Sequence, residues 1–378
     1  MKVLIAPDKF KGSLSAQDVC NAVECGLKEF DSSIEIIKHP LADGGEGTLD
    51  ILQNYFNLKT VSALVANPIF KYISASYKTS SDTAYIEMSN ASGLQLLAKE
   101  EQNCYLTSTY GTGQLILDAL QKGFKNIVLF IGGSATNDAG IGMATALGYE
   151  FYNKQNNRIT PIGKELINID RIDTANVLFN LNEINFTVVC DVKNPLYGEN
   201  GAAHTYGKQK GASLEEIELL DLGLKHFSTQ IEKFLNKSVA TIEGAGAAGG
   251  LGAGARCFLN ATIKSGINFI IEQTQFEKHL DNNVDLIITG EGSVDKQTLE
   301  GKVVKGVSVI ANKNNIPYII LAGIVKDKEL IQKRLNPLAI NSIMDLKVPF
   351  EDAIEHAFQH IKSITLDIIK SISIKKAN

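Results

Sequence analysis

Four loops of this chain combine glycine with acidic side chains: 41–48 (LADGGEGT), 130–140 (FIGGSATNDAG), 243–254 (EGAGAAGGLGAG) and 287–298 (IITGEGSVDKQT). Glycine lets main-chain N–H groups approach a ligand, so glycine beside Ser, Thr and Asn predicts cradles for anionic oxygens. The acids of these loops are Asp43, Glu46, Asp138, Glu243, Glu291 and Asp295. Carboxylates would repel a bare phosphate unless a divalent cation lay between them. The combination predicts a Mg-nucleotide and phosphoryl transfer.

A basic segment near the start, Ala6–Ser13 (APDKFKGS), follows an apolar run and precedes a helical pattern. Lys9 and Lys11 could hold a phosphate or a carboxylate there, aided by the positive end of the helix. Asp8 and Ser13 are the other polar side chains of the segment. The alternative is a solvated turn in which the serine caps the helix.

The loop Ile131–Gly140 (IGGSATNDAG) lies between an apolar strand and a helical stretch from Ile141. Strand, Gly-Gly-Ser and helix in this order is the geometry of a phosphate-binding turn, although the Gly-Lys-Ser/Thr ending of a Walker A motif is missing. Asn137 and Asp138 can reach a metal ion or a ribose. The alternative is a tight, capped turn without a ligand.

The segment Gly244–Gly249 matches the pattern Gly-x-Gly-x-x-Gly and follows a possible strand, Val239–Ile242. A dinucleotide-binding turn is therefore open as an interpretation, but a single match of this kind is weak. Glycine continues through Gly254, and no clear βαβ unit with an acidic residue about 20 positions on is evident. Close helix packing explains the glycines equally well.

Acidic and hydroxyl side chains also follow two buried strands. Asp191 comes after the apolar run Phe186–Cys190, where a carboxylate can accept the proton of an attacking hydroxyl or hold Mg²⁺. The alternative for Asp191 is an Asx turn before Pro195. Thr289, with Glu291 and Asp295 beyond it, marks a second strand end at which a ligand is expected; the alternative for this charged cluster is a solvated face.

The elements that must position these side chains are short apolar strands alternating with helices. The predicted strands are Val3–Ala6, Ile34–Ile37, Ala84–Met88, Ile127–Ile131, Phe186–Cys190, Leu286–Thr289 and Tyr318–Ala322. They do not alternate strictly, which is typical of strands buried on both faces. Ser15 and Ser213 each open an amphipathic helix as caps. The pattern predicts an α/β fold with ligands beyond the carboxyl ends of the strands.

The composition limits the class of protein. A chain of 378 residues is long enough for two domains, and a net charge of −5 disfavours nucleic acid as a partner. The N-terminal apolar run, Val3–Ala6, is too short for a signal peptide, and no segment has the length of a membrane span, so we expect a cytoplasmic protein with no membrane partner. The cysteines are scattered, which predicts reduced, mostly buried thiols.

Six blocks together resemble the bacterial glycerate kinase family. They are Ala6–Asp8 with Phe10–Ser15, Ala42–Thr48, Gly132–Asp138, Cys190–Val192 with Asn194–Pro195, Gly244–Gly252 and Thr289–Gly292. The resemblance implies ATP-dependent phosphorylation of D-glycerate with Mg²⁺, with 2-phosphoglycerate favoured over 3-phosphoglycerate. It also implies a Rossmann-like domain built from residues 1–58 and 285–378, an inserted α/β domain of residues 59–284, and an active site in the cleft between them.

The resemblance also implies roles for residues. Lys11 and the glycine loops would hold phosphates, Asp191 would deprotonate the attacking hydroxyl, and Asp43, Asp138, Glu291 or Asp295 would coordinate Mg²⁺. The expected nucleotide and substrate contacts are Asp8, Ser13, Asp43, Gly44, Gly45, Glu46, Gly132, Gly133, Ser134, Thr136, Asn137, Gly246, Gly249, Gly250, Thr289 and Gly290.

Two other functions stay open at this point. One is an NAD-dependent oxidoreductase that uses the glycine run at 244–249. The other is a non-catalytic protein that binds a nucleotide or a sugar acid. Under the kinase interpretation the partner is D-glycerate, and the protein acts as a monomer or homodimer.

Overall fold

The structure is a computed structural model that describes residues 1–45 and 47–377. The strands are β1 (Lys2–Ile5), β2 (Glu35–Lys38), β3 (Lys59–Ala66), β4 (Tyr72–Ser80), β5 (Thr83–Glu87), β6 (Asn126–Phe130), β7 (Glu150–Tyr152), β8 (Arg171–Asp173), β9 (Asn185–Val189), β10 (Thr262–Lys264), β11 (Leu286–Val294), β12 (Tyr318–Val325) and β13 (Ala339–Ser342). The helices are α1 (Ala16–Phe30), α2 (Thr48–Gln53), α3 (Ser89–Ser92), α4 (Tyr110–Gln121), α5 (Ile141–Ala146), α6 (Ala202–Tyr206), α7 (Leu214–Leu235), α8 (Ala247–Phe258), α9 (Gly266–Gln273), α10 (Val303–Lys313), α11 (Lys328–Leu335), α12 (Phe350–Glu355) and α13 (Ala357–Ala377).

The chain forms two compact units. The first unit contains Met1–Tyr55 and Ser265–Asn378, and the second contains Phe56–Lys264. The α/β fold class, with one unit built from both ends of the chain and one inserted, is therefore confirmed. The sequence-based division placed residues 265–284 in the inserted domain, whereas here they pack within the first unit. Gly266 lies against the main chain of Asp43, and His39 Nε2 lies 2.8 Å from Thr274 Oγ1.

A five-stranded parallel sheet in the order β13-β12-β11-β1-β2 forms the centre of the first unit. Val3, Leu4 and Ile5 of β1 are fully buried, as a strand covered on both faces requires. Ser15 caps the start of helix α1, and its hydroxyl oxygen accepts a hydrogen bond from Asp18 N–H (3.1 Å). The predicted cap and the predicted central strands are present.

The second unit contains a six-stranded mixed sheet in the order β10-β9-β6-β5-β4-β3 and a small antiparallel pair, β7 and β8. β10, β9, β6 and β5 run parallel, whereas β5, β4 and β3 are antiparallel neighbours. The β3–β4 hairpin is not among the predicted strands, because most of its length alternates polar and apolar residues, unlike the mainly apolar runs of strands buried on both faces.

Two helices of the second unit, α7 and α8, begin in different ways. Ser213 and Glu216 form the predicted capping box at the start of α7. The possible strand Val239–Ile242 is wrong, since these residues form loops and turns before α8. Ala248, Gly249 and Gly250 have positive φ, so the regular part of α8 begins only after Gly250.

Two expectations from composition can be compared with the structure. The five cysteines are free thiols, and three of them are buried. Within the described part of the chain, no helix combines the length and the apolar character needed to cross a membrane.

Candidate active site

The carboxyl ends of β1 and β11 are the position at which the first unit can bind a ligand. In the sheet, β2 lies on one side of β1. On the other side of β1 lie β11, β12 and β13, in that order. The strand order reverses between β1 and β11, and open parallel sheets bind ligands at such a reversal. Asp8 N–H donates to Gly290 O (2.8 Å) and Thr289 Oγ1 donates to Ala6 O (2.8 Å). Thr289 and Gly290 therefore join the two strand ends here.

Two buried carboxylates lie at this reversal. Asp8 is 8% exposed and Glu291 is 5% exposed. Burial raises the pKa of Asp8 to about 8, and the charges of Asp43 and Glu291 add to this rise. Burial also raises the pKa of Glu291 to about 7, although Glu291 accepts a hydrogen bond from Thr298 Oγ1. Without a cation nearby, Asp8 keeps its proton at neutral pH and Glu291 keeps it in part.

A cavity of about 370 Å³ lies at the same strand ends, within the first unit. Lys9, Lys11 and Lys302 supply positive charge to its wall, and Ser13 supplies a hydroxyl group. Five of the residues expected at the site, Asp8, Lys11, Ser13, Asp43 and Glu291, are brought together around this cavity. Thus the predicted basic segment and two predicted acidic loops meet at one place.

The loop that carries Asp43 is held by its own side chain. Asp43 Oδ1 accepts a hydrogen bond from Gly45 N–H (2.9 Å), and Gly44 has a φ of 85° that favours glycine. Gly45 O in turn accepts from Thr48 Oγ1 (2.7 Å). Glu46, which was expected to contact the substrate, lies outside the described residues.

The oxygen-rich donor set fits magnesium as part of a Mg-nucleotide. No group of three or more His, Cys, Asp and Glu side chains among the described residues is arranged to hold a metal ion by itself. Mg²⁺ is usually bound through one or two carboxylates together with phosphate oxygens and water. Asp8, Asp43 and Glu291 are hard oxygen ligands, and burial of Asp8 and Glu291 disfavours their uncompensated negative charge.

Asp295 has a structural environment. Its Oδ1 accepts a hydrogen bond from Gln297 N–H (2.9 Å), and its own N–H donates to Thr298 Oγ1 (3.0 Å). These bonds cap the 3₁₀ turn at Lys296–Glu300. The expected role of Asp295 as a magnesium ligand is therefore less well supported than that of Glu291.

In the second unit, a buried lysine holds the Gly-Gly-Ser loop. Lys210 is 5% exposed, and its Nζ donates to Ser134 Oγ (2.6 Å) and to Thr136 O (2.9 Å). Burial lowers the pKa of Lys210 to about 8. Gly132 and Gly133, at the start of the loop, are exposed. The loop therefore presents its glycines to solvent while the lysine fixes its inner side.

Asp138 has no room for a metal ion in this arrangement. It is fully buried, and one of its carboxylate oxygens accepts hydrogen bonds from Thr109 N–H (2.8 Å), Thr109 Oγ1 (2.8 Å) and Gly142 N–H (3.2 Å). The other oxygen accepts from Gly140 N–H (3.1 Å). The expected metal role of Asp138 does not fit, because both oxygens already bind donors that shape the loop.

Two buried polar atoms of the same loop lack hydrogen-bond partners among the described residues: Thr136 Oγ1 and Asn137 Nδ2. Unpaired buried polar atoms are uncommon in proteins, so they favour a binding role for this loop. Thr136 and Asn137 were both expected at the site.

The glycine run at 244–254 packs against this loop and its neighbours. A Cβ on Gly249 would lie 2.0 Å from Thr136 O, and a Cβ on Gly250 would lie 3.0 Å from Ala139 Cα. A Cβ on Gly246 would lie 2.2 Å from Pro195 O. Close packing therefore accounts for Gly246, Gly249 and Gly250. With no strand at 239–242, the dinucleotide-binding interpretation loses its support.

Asp191 lies in the second unit, two residues beyond the end of β9, and is half-buried. Next to it, Cys190 Sγ accepts a hydrogen bond from Val192 N–H (3.2 Å) and bends the chain around Asp191. Burial raises the pKa of the Cys190 thiol to about 12, which does not suit a nucleophile.

Two lysines at the candidate sites, Lys302 and Lys210, were not predicted from the sequence. Lys302 is the N-cap residue of α10, and a lysine just before a helix is the same signal that predicts a phosphate contact for Lys11. For Lys210, in Gln209–Gly211, no local pattern shows that the side chain is buried beside a loop 76 residues away in sequence.

Carboxylates that can share a divalent cation, beside lysines that can neutralise phosphates, are the groups that phosphoryl transfer requires. On an α/β scaffold they define an enzyme of the phosphotransferase class. The chain belongs to the glycerate kinase family, whose model matches residues 3–373. The resemblance found in the sequence and the kinase interpretation are thereby confirmed.

Several known proteins are similar to this chain along its full length. A glycerate kinase of Bacillus subtilis (strain 168) is 40% identical over 379 residues, which cover 100% of this chain and 99% of the relative. A glycerate 2-kinase of Escherichia coli (strain K12) is 39% identical, with 100% of both chains covered. A crystal structure of a candidate glycerate kinase 2 from Salmonella typhimurium LT2 has a TM-score of 0.85 and 36% identity, again covering 100% of both chains.

Proposed function

We propose that this protein transfers the γ-phosphoryl group of ATP to the 2-hydroxyl of D-glycerate, giving 2-phosphoglycerate and ADP. The supporting observation is that Asp8 and Glu291 meet lysines at the strand-order reversal of the first unit, in a chain of the glycerate kinase family. The Escherichia coli relative is named glycerate 2-kinase, which favours the 2-hydroxyl over the 3-hydroxyl.

The residues of the first unit bind the charged end of the nucleotide. Lys11 and Lys302 neutralise phosphate charge, and Asp8, Asp43 and Glu291 are the carboxylates that would hold magnesium. Magnesium, when bound, neutralises charge that develops on the transferred group. Because a nearby cation favours ionised carboxylates, Asp8 and Glu291 would be held in their ionised form with Mg-ATP bound.

The residues of the second unit act on the acceptor. Asp191 orients the 2-hydroxyl and takes its proton as the hydroxyl oxygen bonds to the γ-phosphorus. The bond from that phosphorus to the β,γ-bridging oxygen breaks, and ADP leaves. The loop with Gly132, Gly133 and Asn137 holds a phosphate or carboxylate group. Most of the acceleration comes from alignment and charge neutralisation, as in other phosphoryl transfers.

The experiment is ADP release from Mg-ATP with and without D-glycerate, with the product resolved as 2- or 3-phosphoglycerate by ³¹P NMR. We expect strong dependence on glycerate and the 2-isomer. Asp191→Asn should lower turnover by a factor on the order of 10², and the exposed Glu199→Gln in the same unit should not. Turnover no faster than with ATP alone, in folded protein, would contradict the proposed reaction.

A further inference from the structure

The cavity of the first unit has two chemically different ends. The carboxylates and lysines described above lie at the strand ends. The remaining wall is apolar and comes from the segment after β13 and from α12: Ile343, Met344, Phe350, Ala353 and Ile354. Phe350 is 59% exposed and Ile354 is 39% exposed. A large apolar surface is thus open to solvent directly beside a cluster of charges.

D-Glycerate does not explain the apolar wall. It is a three-carbon acid whose groups are almost all polar, so it gains little from contact with an aromatic ring and aliphatic side chains. A nucleotide has the complementary composition, with a polyphosphate at one end and a flat, largely apolar base at the other. Ligand sites typically combine an apolar lining with a few polar groups that fix orientation.

The two ends of the cavity are held together by a hydrogen bond. Ser13 Oγ, from the basic segment that also carries Lys11, donates to Ile354 O (2.9 Å) in α12. The spacing between the lysine-bearing segment and the apolar wall is therefore set by the protein before any ligand binds. A ligand that contacts both ends must be elongated, with a charged end and an apolar end.

We propose that Met344, Phe350 and Ile354 form the subsite for the nucleotide's base, with the polyphosphate directed toward Lys11 and Lys302. The inference rests on the proposed function for the choice of nucleotide. Phe350 covers one face of the base, and the aliphatic side chains of Met344 and Ile354 complete the contact. Stacking of a base on an aromatic ring adds to the affinity that the phosphates supply.

The chain offers a direct spectroscopic test because it contains no tryptophan. Phe350→Trp places a single tryptophan at the proposed subsite. Leu338→Trp is the matched control, because Leu338 is 54% exposed in the same unit and lines a different cavity. Mg-ADP should change the emission of the Phe350→Trp protein and leave that of the Leu338→Trp protein unchanged. Mg-pyrophosphate, which lacks the base, should have a much smaller effect at position 350.

A truncation measures what the subsite contributes. Phe350→Ala should weaken Mg-ADP binding by about tenfold in calorimetry. Mg-pyrophosphate binding should stay within about twofold of the wild-type protein, since the phosphate end is intact. Equal weakening of both ligands, or of neither, would overturn the subsite. So would an unchanged emission at position 350 under Mg-ADP saturation verified by calorimetry.

The outcomes separate this inference from the proposed function. Glycerate-dependent ADP release without any response at position 350 overturns the subsite alone. A response at position 350 without glycerate-dependent turnover supports the subsite and contradicts the reaction. Absence of Mg-ADP binding to the wild-type protein would overturn both.

Discussion

Asp8 illustrates how a buried carboxylic acid can oppose folding. Its pKa rises from an ordinary value of 3.8 to about 8, mainly because burial disfavours the charged form. For an acid with a raised folded-state pKa, the stability is fully present below the unfolded pKa and is lost as pH rises toward the folded pKa. Between about pH 4 and pH 8 the free energy of unfolding therefore decreases because of Asp8.

Asp8→Asn should remove this pH-dependent loss. The difference in melting temperature, variant minus wild type, should grow from pH 5 to pH 8 and reach about 2 °C or more. Melting followed by circular dichroism at both pH values, without magnesium or nucleotide, measures it. Asp367→Asn, at an exposed position of the same unit, is the control. The same difference at both pH values would show that Asp8 is not buried as a neutral acid.

The first turn of helix α8 is irregular where it packs against the loop that contains Thr136. Gly249 has a φ of 68°, and its Cα approaches the main chain of Thr136 so closely that no side chain fits. Gly198 in the same unit has a φ of 92°, and a Cβ added there would have no other atom within 4 Å. Both glycines have a positive φ, but only Gly249 packs closely against another part of the main chain.

Alanine at these two positions should therefore separate conformational strain from packing. Gly198→Ala should cost only the strain of a left-handed alanine, about 1 kcal/mol. Gly249→Ala should cost about 2–4 kcal/mol, because the loop at Thr136 must also move. Denaturant or thermal unfolding of both variants compares them, and the Gly249 variant should also lose ligand affinity if the loop binds a ligand. Equal costs would mean that α8 does not position that loop.

Among helices and strands, the sequence predicts the features that depend on residues close together in the chain. The caps at Ser15 and Ser213 and the buried apolar strands follow from short patterns, and they are present. The hydrogen bonds that Asp138 and Asp295 accept from nearby N–H groups could not be predicted, because residue spacing does not show which donors a carboxylate meets. Lys210 was missed because its burial depends on contacts across the fold. The β3–β4 hairpin could not be predicted from apolar runs, because one face of each strand is largely polar and the sequence mostly alternates.

At the scale of the whole molecule, the division into two units makes it possible to determine which unit a ligand stabilises. A ligand present at 100 times its Kd stabilises the protein that binds it by about 2.7 kcal/mol. The stabilisation slows local opening and therefore amide hydrogen exchange in the segments that contact the ligand. Each unit has its own hydrophobic core, so exchange in one unit can be compared with exchange in the other.

Hydrogen exchange measured by mass spectrometry should distinguish the two ligands of the reaction. Mg-ADP should slow exchange in 343–355 and in 6–14, because these segments form the two ends of the cavity in the first unit. D-Glycerate alone should leave 343–355 unchanged, since it has no apolar part to cover that wall. The β3–β4 hairpin at 59–80 in the second unit is the internal control and should respond to neither ligand. Protection of 343–355 by D-glycerate alone, equal to that by Mg-ADP, would place the acceptor instead of the base at this wall and contradict the assignment of the cavity to the nucleotide.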